Sequence, residues 1–142
     1  MATTLGLTIA VTALSTLIGL ALAWTLFNID LPFRSTLQAL VILPVAIPSY
    51  VFTYSWISLI PGFKGLWAAL FVLVLATTPY ITLTTLAALR RSDWSTYEVA
   101  QTLGLNGFQI FARVTWPQIK NSVAAGSLLS ALYVLSDFGA IS

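Results

Sequence analysis

The sequence predicts an all-α membrane protein, a polytopic bundle of about four transmembrane helices interrupted by one polar loop. Composition is the first observation behind this. Of 142 residues, 58% are hydrophobic and 7% charged, where a soluble domain carries about 25% charged residues. Charge placement is the second. Residues 1–29, 35–63 and 65–89 carry no charge, and each run exceeds the roughly 18–20 apolar residues that cross ~30 Å of hydrocarbon. A further uncharged run, residues 121–136, ends at Asp137. The third observation is what is missing. With no cysteine and no histidine, disulfides, thiolate or imidazole metal sites and thiol catalysis are excluded, as is the usual general base near neutral pH. No cofactor is implied, and a net charge of +2 is too small for a nucleic-acid surface.

The first helix is expected over residues 4–27. Ala21-Leu22-Ala23 imitates a signal-peptide cleavage site, but no Lys or Arg precedes it. The apolar stretch also exceeds the roughly 7–15 residues of a signal peptide's core, so the segment is read as a retained membrane helix. After a short polar turn, a second helix is expected over 35–60, kinked by Pro44 and Pro48. These prolines lie four residues apart, so the hydrogen bonds they cannot make fall on successive turns. A bent helix lining a pathway and ordinary bundle packing both fit that feature. Pro61-Gly62 marks a turn, and Lys64 an aqueous side. A third helix over 66–89 contains Pro79. A polar segment, 90–120, precedes the fourth helix, 121–142, where Ala124, Ala125, Gly126, Ser127, Ser130 and Ala131 let helices approach closely.

Orientation follows from the basic residues. The turn after the first helix and the 90–120 segment must share a side, because two helices separate them. Together they hold Arg34, Arg90, Arg91, Arg113 and Lys120, and the opposite side holds Lys64 alone. Five against one places the 90–120 segment in the cytoplasm. An uncharged amino end outside, and a carboxyl end just past Asp137, fit a piece of a longer permease-like chain; a native start outside the membrane is the alternative.

Within the polar segment, Asp93 and Ser95 are candidate N-caps, and Ser95 to Glu98 has the spacing of a capping box. The helix they start should end at Gly104. Ala100 and Gly104 share a face, leaving a flat strip for another protein's backbone. Asn106 can cap a second short helix bearing Phe108, Ile110, Phe111 and Val114, which Pro117 should interrupt. Two short helices joined by a glycine turn at the membrane face also describe an ordinary amphipathic interfacial pair.

Glu98-Val99-Ala100, then Gly104, then Val114-Thr115-Trp116-Pro117 resembles the EAA loop of binding-protein-dependent ABC importer permeases, whose transmembrane domain is MetI-like. The family pattern is Glu-Ala-Ala, three residues, Gly, nine residues, then Ile-x-Leu-Pro. Glu98, Ala100, Gly104 and Pro117 fall at those offsets, while Val99, Val114 and Trp116 are apolar departures. Asp30-Leu31-Pro32, the stretch from Leu43 to Tyr50 and the stretch from Ala131 to Ala140 are similar to the ferric-iron subgroup, where one polypeptide carries two such halves. This chain resembles the first half. Permeases for sulfate, thiamine or polyamines share much of the scaffold.

The resemblance implies a multi-pass permease subunit of an importer in the cell's inner membrane, and with it a set of partners. These are an ABC ATPase subunit in the cytoplasm, a periplasmic or lipoprotein substrate-binding protein, and a second permease half, with membrane lipid around the helices. It implies that the loop couples membrane helices to the ATPase, which performs the ATP chemistry. This chain has no phosphate-cradling Gly-Lys-Ser/Thr loop, so it is not expected to be an enzyme. A gate or pathway role for Pro44, Pro48 and Asp137 competes with a structural one, in which Asp137 sits at the outer interface ~24 Å along the last helix. A lone Asp is no iron site, so iron recognition is assigned to the external binding protein. From other classes, a secondary transporter or channel with an interfacial loop would carry its own coupling charges, and a structural subunit would need no motif.

The orientation is testable because the chain lacks cysteine. Single cysteines replacing Lys64 and Asn106 should react with impermeant reagents from opposite sides of intact cells, Lys64→Cys from outside. Outside labelling of Asn106→Cys would reverse the topology.

Overall fold

A computed structural model describes residues 2–28 and 32–139. The chain forms α1 (Ala2–Asn28), α2 (Arg34–Ala46), α3 (Ser49–Leu59), α4 (Leu66–Arg91), α5 (Trp94–Thr102) and α6 (Gly107–Ile110), then a π-helical turn (Phe111–Thr115) and α7 (Trp116–Gly139). No strand occurs among the described residues, and the fold is the expected all-α membrane bundle. Helices α1 and α4 are each long and apolar enough to cross a membrane, and α2 with α3 adds a third span if the bent pair counts as one. Serines, Gly126 and Asp137 dilute the apolar character of α7, but it packs against both long helices.

Two buried clusters fix the directions of the three long helices. Leu7 and Val11 of α1 meet Leu73 and Val74 of α4 and Val134 of α7 at one end. At the other, Ala23 and Leu26 meet Leu86, Leu89, Ile119 and Val123. Helices α1 and α4 therefore run parallel and α7 runs against them. The turn after α1 and the loop after α4 emerge at the same end, as expected from the two helices that separate them in the sequence.

Between these clusters the helices touch through small residues. Ile81 of α4 is wholly buried, lodged between Gly19 of α1 and Gly126 of α7. A Cβ on Gly19 would lie 2.9 Å from the Ile81 Cβ, and one on Gly126 would lie 2.9 Å from the Ile81 Cα and strike the Thr84 hydroxyl. Hydroxyls line the same seam. Ser15 meets Thr77 at 2.7 Å and Thr16 meets Ser127 at 2.8 Å. Thr77 also reaches the Leu73 carbonyl at 2.8 Å. Ser15 reaches the Val74 carbonyl at 3.4 Å, so either hydroxyl of the Ser15–Thr77 pair can be the donor. Such interhelical bonds contribute about 0.6 kcal/mol each in membrane proteins.

Three local expectations change. The helix expected over 35–60 is two helices, α2 and α3, bent by 102°. Ile47, held extended at φ −97°, ψ 126° by the following ring, separates α2 from Pro48, the N-cap of α3. Pro44 remains inside α2. The last helix starts at Trp116 rather than near 121, and Pro117 lies in its first turn instead of interrupting it. The preceding π turn explains this. Trp116 donates to the Phe111 carbonyl five residues back, and the widened turn accommodates the proline ring. Asp30, Leu31 and Ala140, quoted for the subgroup resemblance, lie outside the described residues.

Gly126→Val in the full-length permease should destabilise it by about 1–3 kcal/mol through overpacking against Ile81. The check is thermal unfolding in detergent. Gly6→Ala serves as the control, since nothing lies within 4 Å of a Cβ there, and as a helical Gly→Ala change it should leave the melting temperature the same or slightly higher.

Candidate functional site

The polar loop is a folded platform across one end of the bundle. Asp93 is the N-cap of α5, accepting from the Ser95 amide at 3.0 Å and the Ser95 hydroxyl at 2.7 Å. This settles the choice of cap. Ser95 serves as a donor to Asp93, and the capping box forms one helix later, where Asn106 and Gln109 bond reciprocally at 2.9 and 3.1 Å. At the end of α5, Leu105 donates to the Ala100 carbonyl and Gly104 to that of Gln101, at 3.3 and 3.0 Å. This is a Schellman ending, and it places Gly104 at φ +78°.

Aromatic side chains fasten the platform to α1. Phe27 meets the Trp94 ring edge-on at 5.4 Å, and Trp94 stacks on Tyr97 at 4.8 Å. Trp24 meets Phe111 edge-on at 5.0 Å. The other attachment is covalent, because α6, the π turn and α7 form one unbroken helical run. Sequence reasoning missed the aromatic anchors. Their signal is two aromatic pairs three residues apart, Trp24/Phe27 and Trp94/Tyr97, each at the aqueous end of its element.

The structure separates the residues singled out for coupling. Glu98, Val99, Gly104, Trp116 and Pro117 are exposed, and Val114 is half-buried. Ala100 is only 4% exposed, turned toward α6 and the π turn that α5 packs on. The expected flat strip of Ala100 with Gly104 is therefore not available to a partner. Ala100 lets α5 lie close to its own loop instead. The outward apolar face comes from Val99 and Leu103, 57% and 73% exposed, with Phe108 at 80% beside the next turn.

The residues singled out for a pathway lie elsewhere. Asp137 is half-buried near the far end of α7, in a cavity of about 570 Å³ roofed by α3. Its hydroxyl-bearing walls are Ser49, Tyr50, Thr53, Tyr54 and Ser136. Pro48 makes the bend that carries α3 over this cavity, whereas Pro44 is half-buried in α2 and does not line it. Among the described residues, no three His, Cys, Asp or Glu side chains gather as a metal site.

Residues 15–142 match the family described as binding-protein-dependent transport system inner membrane component. The chain is 35% identical over 100 residues to the Fe(3+)-transport system permease protein FbpB 2 of Haemophilus influenzae, covering 70% of this chain and 20% of that one. It is 31% identical over 138 residues to the sulfate transport system permease protein CysT of Escherichia coli, covering 87% and 50%. With the molybdate/tungstate transport system permease protein WtpB of Thermococcus kodakarensis it shares 30% over 142 residues, covering 95% and 56%. The chain thus spans between a fifth and just over half of these relatives.

The bonds from Ser95, its hydroxyl first, hold the Asp93 carboxyl below its ordinary value. Because the folded value is lowered, the cap's contribution is complete above the unfolded value of about 3.9 and is lost as pH falls through the folded one. Amide exchange in the first turn of α5, corrected for intrinsic rates, should lose protection over that acidic window. Asp93→Asn should retain the cap and remove the pH dependence.

Proposed function

The chain belongs to the family of binding-protein-dependent transport system inner membrane components, and from that membership we propose that it forms part of the permease of an ATP-driven importer. Substrate reaches it from an external binding protein, a second permease half completes the path, and an ABC ATPase subunit docks on the 90–120 loop from the cytoplasm. The observation that carries this reading is the outward face of α5. Val99 and Leu103 stand exposed on a loop tied to α1 by aromatic contacts and to α7 by continuous helix. Apolar surface projecting from a charged loop is a docking surface. Arg34, Arg90, Arg91, Arg113 and Lys120 at this end support the cytoplasmic orientation.

In this reading Glu98, Val99 and Gly104 meet the ATPase, while Val114, Trp116 and Pro117 join the loop to α7. Movement of the ATPase is passed to α1 and α7 as rigid levers, and the Pro44–Pro48 region lets α3 follow separately at the far end. Ferric iron is the proposed substrate, supported by the 35% identity to the iron permease and by the Leu43–Tyr50 and Ala131–Ala140 stretches. An oxyanion substrate is the second reading, favoured by the longer alignments with the sulfate and molybdate permeases.

Val99→Glu and Leu103→Glu, each in the full-length permease, should lower both uptake and ATPase co-purification at least tenfold, a loss of about 1.4 kcal/mol or more in docking. Gly104→Leu separates docking from a merely interfacial loop. At φ +78° any Cβ costs about 1–2 kcal/mol, and the added side chain points into open space. A docking face should lose the ATPase, whereas an interfacial helix gains apolar contact and keeps function. Normal uptake and co-purification in all three variants would reject the coupling role.

A further inference from the structure

The exposed face of α5 stands on a helix that its own backbone does not aim. α5 has nine residues and lies between two breaks. Ser92, extended at φ −66°, ψ 147°, parts it from α4. Gly104, at φ +78°, ends it in the left-handed turn before α6. The unbroken helical run into α7 begins only beyond that turn, at Gly107. At a rise of about 1.5 Å per residue, Leu103 lies about 13.5 Å along the axis from Trp94. A tilt of about 15° at Trp94 would displace Leu103 by about 3.5 Å. Chain continuity leaves that tilt open.

One face of α1 closes it. Trp24 and Phe27 are three residues apart and share that face. Phe27 meets Trp94, the first residue of α5, at 5.4 Å, and Trp24 meets Phe111, the first residue of the π turn, at 5.0 Å. Helix α1 thereby grips the loop on both sides of the Gly104 turn. The residues of α5 divide between two faces. Trp94, Tyr97 and Ala100, spaced three apart, turn toward the bundle, while Val99 and Leu103 stand outward. The seam beneath the inner face is closely filled. Trp24, Phe27, Leu89, Trp94, Tyr97 and Thr115 surround a residual space of about 10 Å³, the room of about one water molecule. Trp24, Phe27 and Phe111 also pack against the buried cluster at this end of the bundle. Close-packed side chains pass a displacement on, where a void would absorb it.

We propose that Trp24 and Phe27 are positioning residues for coupling: their ring contacts hold α5 at the angle at which movement of a docked ATPase is delivered to α1. This rests on the importer reading and deepens it, because it separates two properties of the loop. Docking belongs to the outer face of α5 and survives loss of the rings. Transmission belongs to the inner face and does not. An ATPase bound to a loop without the rings hydrolyses ATP while α5 tilts, and the membrane helices receive little of the movement.

The test uses the full-length permease with its ATPase and binding protein in proteoliposomes. Uptake of labelled ferric ion, sulfate and molybdate is measured together with ATP hydrolysis. Leucine keeps apolar bulk and removes the ring. Trp24→Leu combined with Phe27→Leu should lower the amount imported per ATP about tenfold, the loss of two ring contacts. ATPase co-purification and the amount of permease in the membrane should not change, and hydrolysis should no longer rise when loaded binding protein is added. Phe27→Tyr keeps the ring and should keep the ratio. If the double variant does not reach the membrane, the single leucine variants decide, each expected to fall about threefold. An unchanged ratio in the leucine variants overturns the proposal and leaves the importer reading standing. So does an equal loss in Phe27→Tyr and Phe27→Leu, which would deny the ring contact its role. Loss of ATPase co-purification in the leucine variants overturns it as well, by making the rings part of docking. If the unsubstituted complex imports none of the three ions, the importer reading fails and the positioning role with it.

Discussion

The position of every other element depends on how closely α1 and α7 approach the backbone of α4 at Ile81. Inside a bilayer the surrounding lipid is as apolar as a leucine side chain, so burying leucine against leucine gives little net drive to associate. What remains is close van der Waals contact and interhelical hydrogen bonding. Gly19 and Gly126 provide the first, by letting the full side chain of Ile81 seat between two bare backbones. Ser15, Thr16, Thr77 and Ser127 provide the second within a few turns of that point. The threonines of α4 also bond their own helix. Thr78, Thr82 and Thr84 donate to carbonyls four residues earlier at 2.6, 3.0 and 2.9 Å, which hides their hydroxyl protons from hydrocarbon.

Once those three helices are locked, their ends decide what the loop can do. The carboxyl ends of α1 and α4 and the amino end of α7 converge on one buried cluster. This supplies a floor on which Trp94, Tyr97 and Phe111 rest. A loop on such a floor is not a flexible connector. It has capped helices, a Schellman turn and two attachments to membrane helices of opposite direction. Force applied to the exposed face of α5 would reach α1 through aromatic edges and α7 through the helix axis itself. Edge-to-face ring pairs add about 0.5–1.5 kcal/mol each beyond the area they bury, a useful stiffness for a short element like α5.

Much of this was legible in the residues, and the rest failed for identifiable reasons. Uncharged runs marked the long helices because a bilayer tolerates few alternatives. Gly104 was legible because a left-handed helix end has few other solutions. Ala100 was misread because periodicity shows that two residues share a face but not what that face meets; here the meeting is with α6 and the π turn. Asp93 and Ser95 stood within two residues of each other with equal capping chemistry, so only the backbone could choose between them. The cavity around Asp137 was invisible because its walls come from α3, α4 and α7, which are brought together by the bend after Ile47.

That bend shows most clearly how the same residue type acts differently in different surroundings. Pro79 leaves the Leu75 carbonyl without its helical donor, yet α4 continues through it. The helix is buried there, packed against α1 and α7, and the hydroxyls of Ser15, Thr77 and Thr78 bond to the neighbouring Leu73 and Val74 carbonyls rather than to that of Leu75. Pro117 is carried by a π turn that displaces the clash before it arises. Pro44 and Pro48 have neither form of help. An unbroken helix would leave the Leu40 and Pro44 carbonyls without donors on successive turns, and neither α2 nor α3 has a buried residue to hold the strained arrangement in place. The chain relieves that strain by breaking at Ile47. The break therefore falls outside the packed trio of α1, α4 and α7. It leaves the trio's seam intact, and it is the feature that opens space beneath α3 at the end of the bundle opposite the loop.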